Sequence, residues 1–246
     1  MSCSMSNSVW DSNGITIAGQ QGELSEPYAV VMSKNTSSLF ITDTLHNRVV
    51  EYDLNSQTYI RIYDRADTGQ DLVVPIALAL SDDDSQLLVA CFPEKYIFRW
   101  LFPSYSSKLI VASYYTGYIG VAIDRNKTVY ASEHMTDAIS SYDTSIGPYW
   151  NYGDWVFEPS YAARHILIIN DDMYIVQTQL CRVIKISLTD ENQTVTVVAG
   201  TGRIGSTSDR LRFPWGLAVD PTEGHVFVSD SRNHRVQLRI NSHIST

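Results

Sequence analysis

Two segments almost the whole chain apart, DTLHNRVVEYDL (43–54) and DSRNHRVQLRI (230–240), follow nearly the same pattern. The match extends upstream over ITIAGQQGELSEPYAVVMSKNTSSLFITD (15–43) and TVVAGTGRIGSTSDRLRFPWGLAVDPTEGHVFVSD (196–230). Each copy contains a short β run ending in Ala-Gly, a polar loop with a Pro, two apolar strands joined by a turn, and a third strand opening with Arg-Val. A repeat of one supersecondary unit constrains the fold more than any local motif, because it indicates an architecture built from adjacent copies.

Three weaker copies fill the middle of the chain, at 62–102, 109–143 and 152–187. Their spacing is regular, and the length variation falls in the loops between strands. Equivalent positions at the start of the innermost strand are 48, 43, 46 and 50 residues apart: Tyr28, Ile76, Ile119, His165 and Trp215. This regularity is typical of radially repeated β-sheets.

The segments PWGLAVDPTEGHVFVSDSRNHRVQLRI (214–240) and PYAVVMSKNTSSLFITDTLHNRVVEYD (27–53) resemble the NHL-repeat β-propeller family. The middle copies keep the hydrophobic rhythm and lose the signature residues, so the resemblance covers roughly residues 15–240 with its best matches at the two ends. It implies an all-β propeller whose blades are four-stranded antiparallel sheets, with strands a to d running outward from the axis. It does not imply one function, because propellers carry unrelated activities.

Counting strands gives five a–b–c sets, preceded by a d-type strand at about 14–18. The chain stops directly after the fifth c-type strand, at 234–240. We therefore expect the N-terminal strand to pair at the outer edge of the last blade, which would close the ring and remove an unpaired edge. Six blades, the commoner number among relatives, is the alternative. The expected domain is a single propeller over 1–246, with 1–13 as a candidate disordered tail.

Composition narrows the classes of partner. The chain has 246 residues and a formal net charge of -9, and no Lys/Arg run supplies the basic face that a nucleic-acid backbone requires. No apolar run reaches the length of a transmembrane helix. The acidic triplet Asp82–Asp84 lies in an a–b turn, where we expect it to be solvated.

The compartment is weakly indicated. The start of the chain lacks the positive and apolar regions of a secretory signal, and its three cysteines are an odd set, which together favour the cytoplasm slightly. An extracellular location stays open if a signal peptide precedes this sequence, with three glycosylation sequons at Asn35, Asn126 and Asn192. Membership of a larger protein and the oligomeric state also stay open.

The d–a loops and b–c turns of a propeller gather on one face, called the top, around the mouth of the central channel. Variable loops on a rigid scaffold are the usual place for binding. The predicted binding residues at this mouth are Tyr28, Ile76, Ile119, His165, Trp215 and Glu133. The ends of the five b strands are expected to surround them, at Asp43, Cys91, Glu133, Thr178 and Asp230.

The repeated Asp and Arg of the two matching segments are predicted to be structural. Asp43 ends a b strand and Arg48 opens the next strand, and Asp230 and Arg235 repeat this arrangement. Across so tight a turn, the carboxylate can accept hydrogen bonds from the guanidinium and from turn amides.

Two function classes remain after these assignments. A catalytic zinc needs about three protein ligands, and only His165 is expected in the ring; no nucleophile or phosphate-loop motif is present. The favoured interpretation is a non-catalytic binding module, without metal or cofactor, that recognises a protein or peptide through its top face. Tyr28 and Trp215 are the candidate anchors, although Trp215 could instead plug the channel. The alternative is a metal-dependent lyase or hydrolase that uses Glu133 and the axial aspartates.

Overall fold

The chain is all-β. The structure, a computed structural model, describes residues 16–112, 117–134, 138–144, 153–157 and 162–240. These residues form nineteen strands in five separate antiparallel sheets, with short 3₁₀ turns and no α-helix between them. Within the same residues, no helix has the length and hydropathy needed to cross a membrane.

Each sheet is one blade, and its strands follow the chain order outward from a central cavity. Blade one contains β1 (Val30–Met32), β2 (Ser38–Asp43), β3 (Arg48–Asp53) and β4 (Thr58–Tyr63). Blade two contains β5 (Pro75–Leu80), β6 (Gln86–Cys91), β7 (Tyr96–Leu101) and β8 (Ser106–Ala112). Blade three contains β9 (Tyr118–Ile123), β10 (Val129–Glu133), β11 (Ile139–Tyr142) and β12 (Asp154–Phe157). Blade four contains β13 (Ala163–Ile169), β14 (Asp172–Gln177), β15 (Arg182–Ser187) and β16 (Thr196–Ala199). Blade five contains, among the described residues, β17 (Pro214–Val219), β18 (Val226–Asp230) and β19 (Arg235–Arg239).

This arrangement is a five-bladed β-propeller, so the five-blade count is confirmed and the six-blade alternative is wrong. Burial differs from strand to strand. Every residue of β9, an innermost strand, is buried, because both faces of an inner strand pack against neighbouring blades. In β4, an outermost strand, four of six residues are exposed.

Apolar side chains between successive blades hold the propeller together. Four buried clusters lie between blades one and two, two and three, three and four, and four and five. In the first of them, Phe40 and Val49 of blade one meet Leu87, Val89 and Trp100 of blade two. Large side chains such as these each contribute about 1.5–3 kcal/mol by burial.

The seam between blades five and one is packed differently. No buried cluster among the described residues joins β17–β19 to β1–β4. The face of blade five that points away from blade four instead exposes Phe227, Val236 and Leu238, at 40%, 69% and 41% of their surfaces. The opposing face of blade one is covered by the N-terminal segment, where Ala18 and Leu24 pack against Ile41, Val50 and Tyr52.

The predicted closure strand is therefore wrong over its described part. Among the described residues, blade five contains three strands and residues 16–18 belong to no strand; the rest of the expected strand, 14–15, lies outside the described residues. The reason is visible in the contacts of the segment. The Gly19 N–H donates to the Tyr59 hydroxyl at 2.8 Å, which fixes the segment on blade one rather than along the edge of β19.

The acidic triplet is exposed at Asp82 and Asp83, in line with the expectation that it is solvated, and it also bridges blades. From the β5–β6 turn of blade two, Asp82 reaches Lys34 of blade one at 2.9 Å and Asp83 reaches Lys127 of blade three at 2.5 Å. The Lys127 ammonium and the Ser81 and Ser85 hydroxyls lower the pKa of Asp83 below its ordinary value. Three blades are thus linked at the bottom face.

Candidate functional site

The innermost strands of all five blades enclose one central cavity of about 350 Å³. Its walls are mainly aliphatic, from residues such as Val31, Leu78, Val121 and Leu217. Five of the six predicted binding residues line it: Tyr28, Ile76, Ile119, His165 and Trp215. They converge because they occupy equivalent positions within two residues of the start of each innermost strand.

Two aromatic side chains stand exposed at the mouth of this cavity, the end where the innermost strands begin. Tyr28 is 56% exposed and Trp215 is 40% exposed. The backbone N–H of Tyr28 donates to the Thr42 hydroxyl at 3.0 Å, and the Arg164 guanidinium carbon lies 4.7 Å from the centre of a Trp215 ring. A guanidinium over an indole is a cation–π contact that holds the ring in place.

His165 is fixed in one tautomer when it is neutral. Its Nδ1 accepts a hydrogen bond from the backbone N–H of Leu217 at 3.1 Å, so the ring proton is on Nε2. Burial lowers the pKa of His165 to about 4, from an ordinary value of 6.5, because an imidazolium would lose its hydration there. The imidazole is therefore neutral at pH 7 and joins blade four to blade five.

Arg164, which the repeat pattern does not predict as a cavity residue, lines the same cavity beside His165. Regular alternation along a strand would send two adjacent side chains to opposite faces. A β-bulge between Ala163 and Ile166 breaks that alternation at the start of β13. Comparable register shifts occur in β5 and β17, so no simple period of two marks the residues of the cavity.

Glu133 lies outside the cavity lining. It is buried within blade three, where its carboxylate accepts hydrogen bonds from the Ser140 hydroxyl at 2.9 Å and the Tyr142 hydroxyl at 2.8 Å. A register shift between Ser132 and Glu133 accompanies this orientation. The pKa of Tyr142 is raised by burial first, then by Tyr118 and the Glu133 carboxylate.

Asp43 and Arg48 join the b–c turn of blade one to its d–a loop. The fully buried Asp43 carboxylate accepts from Arg48 Nε at 2.6 Å and from the Ser25 N–H at 2.7 Å. Arg48 in turn donates to the Glu23 carbonyl at 3.1 Å. Burial raises the pKa of Asp43, but the hydrogen bonds from Ser25, Arg48 and His46 outweigh it, and the net shift is downward.

Asp230 and Arg235 repeat this frame in blade five with more contacts. The buried Asp230 carboxylate accepts from Arg235 Nε at 2.8 Å and from the Arg212 N–H at 2.6 Å. Arg235 also donates to three loop carbonyls, those of Ser206, Thr207 and Arg210. Blade four has a neutral version, in which Gln177 accepts from Arg182 at 2.7 Å.

Asn47 and His234 close the two repeated turns with left-handed backbone, at φ 55° and 53°. Asn47 also accepts, through Oδ1, a hydrogen bond from the Val74 N–H of the next blade at 2.9 Å. Asparagine tolerates this conformation better than most residues do. Neither residue is among the predicted site residues, although both directly precede the repeated arginine, and this shared position could have identified them.

Among the described residues, one group has the composition of a metal site: Asp220, Glu223 and His225, whose ligand atoms lie within 4.8 Å of one another. The group sits in the β17–β18 turn, at the opposite end of β17 from the cavity mouth. Asp220 Oδ1 already accepts from the Thr222 and Glu223 amides, and His225 contacts Glu223 at 2.8 Å. These contacts within the turn account for the proximity of the three side chains, and the turn is separate from the cavity.

Comparison with known proteins supports the fold. Residues 211–237, which cover most of blade five, match the NHL repeat family model, and this confirms the sequence resemblance in that segment. No curated protein matches the chain by sequence.

Similar solved structures include a lyase, a hydrazine synthase and U3-55K. A virginiamycin B lyase from Staphylococcus aureus has 14% identity and a TM-score of 0.61, over 87% of this chain and 66% of the lyase. Hydrazine synthase from Kuenenia stuttgartiensis has 15% identity and a TM-score of 0.60, over 92% and 80%. U3-55K has 14% identity and a TM-score of 0.62, over 89% and 65%. The chain thus spans just under two thirds of the lyase and of U3-55K, and at these identities the likeness shows the fold alone.

Proposed function

We propose that this NHL-repeat propeller is a non-catalytic module that binds a protein or peptide at its top face. The observation that carries the proposal is the pair of half-exposed aromatics, Tyr28 and Trp215, at the mouth of a mainly aliphatic cavity. Exposed Trp and Tyr are enriched among residues that dominate protein interfaces, because they bury large areas and lose little entropy. Trp215 lies on β17, and Tyr28 lies two residues before β1, so both are positioned by the innermost strands.

The polar groups near the mouth support a binding role over a chemical one. Asp43 and Asp230 are fully buried and hydrogen-bonded to arginines and backbone amides, and Glu133 is held by two hydroxyls away from the cavity. A general base must reach a proton on the substrate. These three carboxylates instead hold the turns and blades together.

A metal-dependent lyase or hydrolase remains the second candidate, because the fold resembles that of virginiamycin B lyase. A further similar structure is that of a catalytically inactive variant of this lyase, in which a histidine is replaced by alanine. His165 is the histidine that lines the cavity of this chain among the described residues. Elemental analysis of the purified protein tests this candidate: one zinc per chain, lost in His165→Asn, would favour the enzyme.

The binding proposal is tested by affinity capture with the folded protein, comparing the wild type with Trp215→Ala and Tyr28→Ala. If these side chains are interface anchors, each replacement should weaken partner binding by about 2 kcal/mol, or about 30-fold. The melting temperature should change little, because both side chains are half-exposed. Tyr105→Ala is the matched control, since Tyr105 is 39% exposed in the β7–β8 turn on the opposite face.

Two results would contradict the proposal. Full partner affinity in Trp215→Ala and Tyr28→Ala, together with a large loss of stability, would make these aromatics a structural plug of the channel. A loss of about 3–5 kcal/mol is typical of emptied aromatic cores. Equal weakening by Tyr105→Ala would mean that binding does not distinguish the two faces.

A further inference from the structure

The loop and turn at the top of blade five carry three exposed arginines. Arg203 and Arg212 lie on the loop before β17, and Arg232 lies on the β18–β19 turn. The backbone N–H of Arg232 donates to the Arg212 carbonyl at 3.1 Å, and its guanidinium carbon lies 5.0 Å from the centre of the Phe213 ring. We call Arg203, Arg212, Arg232, Phe213 and Trp215 the arginine–aromatic patch.

Among the described residues, no carboxylate oxygen lies within 4.0 Å, the limit for an ion pair, of a side-chain nitrogen of these three exposed arginines. The acids nearest to them in sequence have other partners. Asp230 is buried against Arg235, and Asp209 accepts from the Thr207 hydroxyl at 2.6 Å. The three exposed arginines outnumber Asp209, the one exposed acid of the same loop, so a chain with a net charge of -9 presents a local positive surface at its top face.

The loop that carries this patch is held in place before any ligand arrives. Arg235 donates to three of its carbonyls, the Asn233 amide donates to the Gly205 carbonyl at 2.8 Å, and the Arg212 N–H donates to Asp230. A preorganised loop loses little conformational entropy on binding. Phe213, 37% exposed, and Trp215, 40% exposed, add apolar surface between the charges.

The equivalent loop of blade one has the opposite charge. Glu23 and Glu26 are exposed there, and Glu26 precedes Tyr28 by two residues. Tyr28 and Trp215 line the same cavity, so an acidic side and a basic side meet at its mouth. A long polyanion such as a nucleic acid would be repelled by the two glutamates, whereas a short acidic segment could lie on blade five alone.

From this arrangement we infer that the partner binds through a short acidic peptide segment containing an aromatic or aliphatic residue. The acidic side chains contact Arg203, Arg212 and Arg232, and the apolar residue packs against Trp215 and Phe213. Guanidinium groups bind carboxylates through paired, charge-assisted hydrogen bonds, which suits this patch to Asp and Glu. The inference rests on the proposed function, since it names the chemistry of the ligand at the same face.

The test begins with a random dodecapeptide display library selected on the immobilised wild-type protein at low ionic strength, where exposed charges are least screened. We expect the bound peptides to be enriched in Asp and Glu flanking an apolar residue. The best peptide is then synthesised in two forms, one with its acidic residues and one with Gln and Asn in their place. Fluorescence anisotropy should give about 10-fold tighter binding for the acidic form.

The protein variants are matched in charge. Combined replacement Arg203→Gln, Arg212→Gln and Arg232→Gln should weaken binding of the acidic peptide about 10-fold and leave the neutral form unaffected. The control combines Lys34→Gln, Lys108→Gln and Arg125→Gln, which removes the same charge elsewhere and should leave the affinity within about 2-fold. Melting temperatures show whether each variant is folded.

The other outcomes separate the inference from the proposed function. Selected peptides that depend on Trp215 but show no acidic enrichment would overturn the inference and leave the binding function standing. If no peptide binding depends on Trp215 or Tyr28, the proposed function itself fails. A single-stranded oligonucleotide that binds more tightly than the best acidic peptide, and depends on the same arginines, would also overturn the inference in favour of nucleic acid.

Discussion

Mild acid should destabilise this propeller through one side chain, the imidazole of His165. Its Nδ1 accepts from the Leu217 N–H at 3.1 Å, and that bond requires an unprotonated Nδ1. Burial lowers the pKa of His165 to about 4 in the folded state, against an ordinary value of 6.5. The unfolded chain therefore binds more protons than the native chain between these two pH values, and stability must fall as the pH is lowered through that window.

The size of the effect follows from the two pKa values. Integrating the proton linkage from pH 7 downward gives a loss of about 2 kcal/mol at pH 5 and about 3 kcal/mol at pH 4. The measurement at pH 5 is the cleaner one. The lowered pKa values of Asp43 and Asp230 act at lower pH, because stability from a depressed carboxylate is lost only as the pH falls below its unfolded value of 3.8.

The assay is urea denaturation at pH 7 and pH 5 for the wild type and for His165→Asn. Asparagine can still accept from the Leu217 N–H but does not titrate in this range. The variant should therefore lose little stability between the two pH values, while the wild type loses about 2 kcal/mol. His225→Asn, at the distant β17–β18 turn, is the control and should behave as the wild type does. Parallel losses in the wild type and in His165→Asn would show that the acid sensitivity arises elsewhere.

Further predictions concern the turns and loops of blade five. Asp230→Ala should lower the free energy of unfolding, measured by urea denaturation, by about 2–4 kcal/mol, because it leaves the Arg235 guanidinium without its buried partner. A loss below about 0.5 kcal/mol would show that the pair does not stabilise the turn. Gly200→Ala should lower the melting temperature clearly more than Gly202→Ala does. Both glycines have positive φ, 75° and 77°, but a Cβ at Gly200 would lie 2.3 Å from a backbone oxygen, whereas one at Gly202 would lie no closer than 3.8 Å. Equal melting temperatures would refute this. His234→Asn should leave the free energy of unfolding within about 0.5 kcal/mol, because histidine and asparagine both tolerate the left-handed conformation, and a larger change would count against it.

The repeat made the blade count predictable, because each blade is one supersecondary unit and the unit recurs at nearly constant spacing. The five ring positions could be identified for the same reason: Tyr28 and Trp215 hold equivalent positions in copies of one pattern. The closure could not be obtained this way. Whether residues 16–18 join β19 or rest on blade one depends on how the first and last blades approach each other, and contacts such as Gly19 with Tyr59 decide it.

Two differences between prediction and structure at the candidate site have a common physical origin. The repeat pattern places Glu133 at the mouth because it ends a b strand, and it misses Arg164 because that residue adjoins one already assigned to the cavity. In both cases a register shift at the strand end changes the face to which the side chain points. A β-bulge adds one residue to one strand only, and no feature of these short segments marks where it falls.

In the two matching segments, at 43–54 and 230–240, the residues that hold the top-face loops in place differ from the residues that give those loops their charge. A buried carboxylate is costly unless it is paired, so Asp43 and Asp230 each require the arginine that follows five residues later. Each pair then holds the loop above it through backbone atoms alone, such as the Ser25 N–H and the Arg212 N–H. Because those bonds do not depend on the side chains of the loop, one frame can carry glutamates in blade one and arginines in blade five. Recognition can therefore be changed by loop substitutions that leave the Asp–Arg pairs and the fold intact.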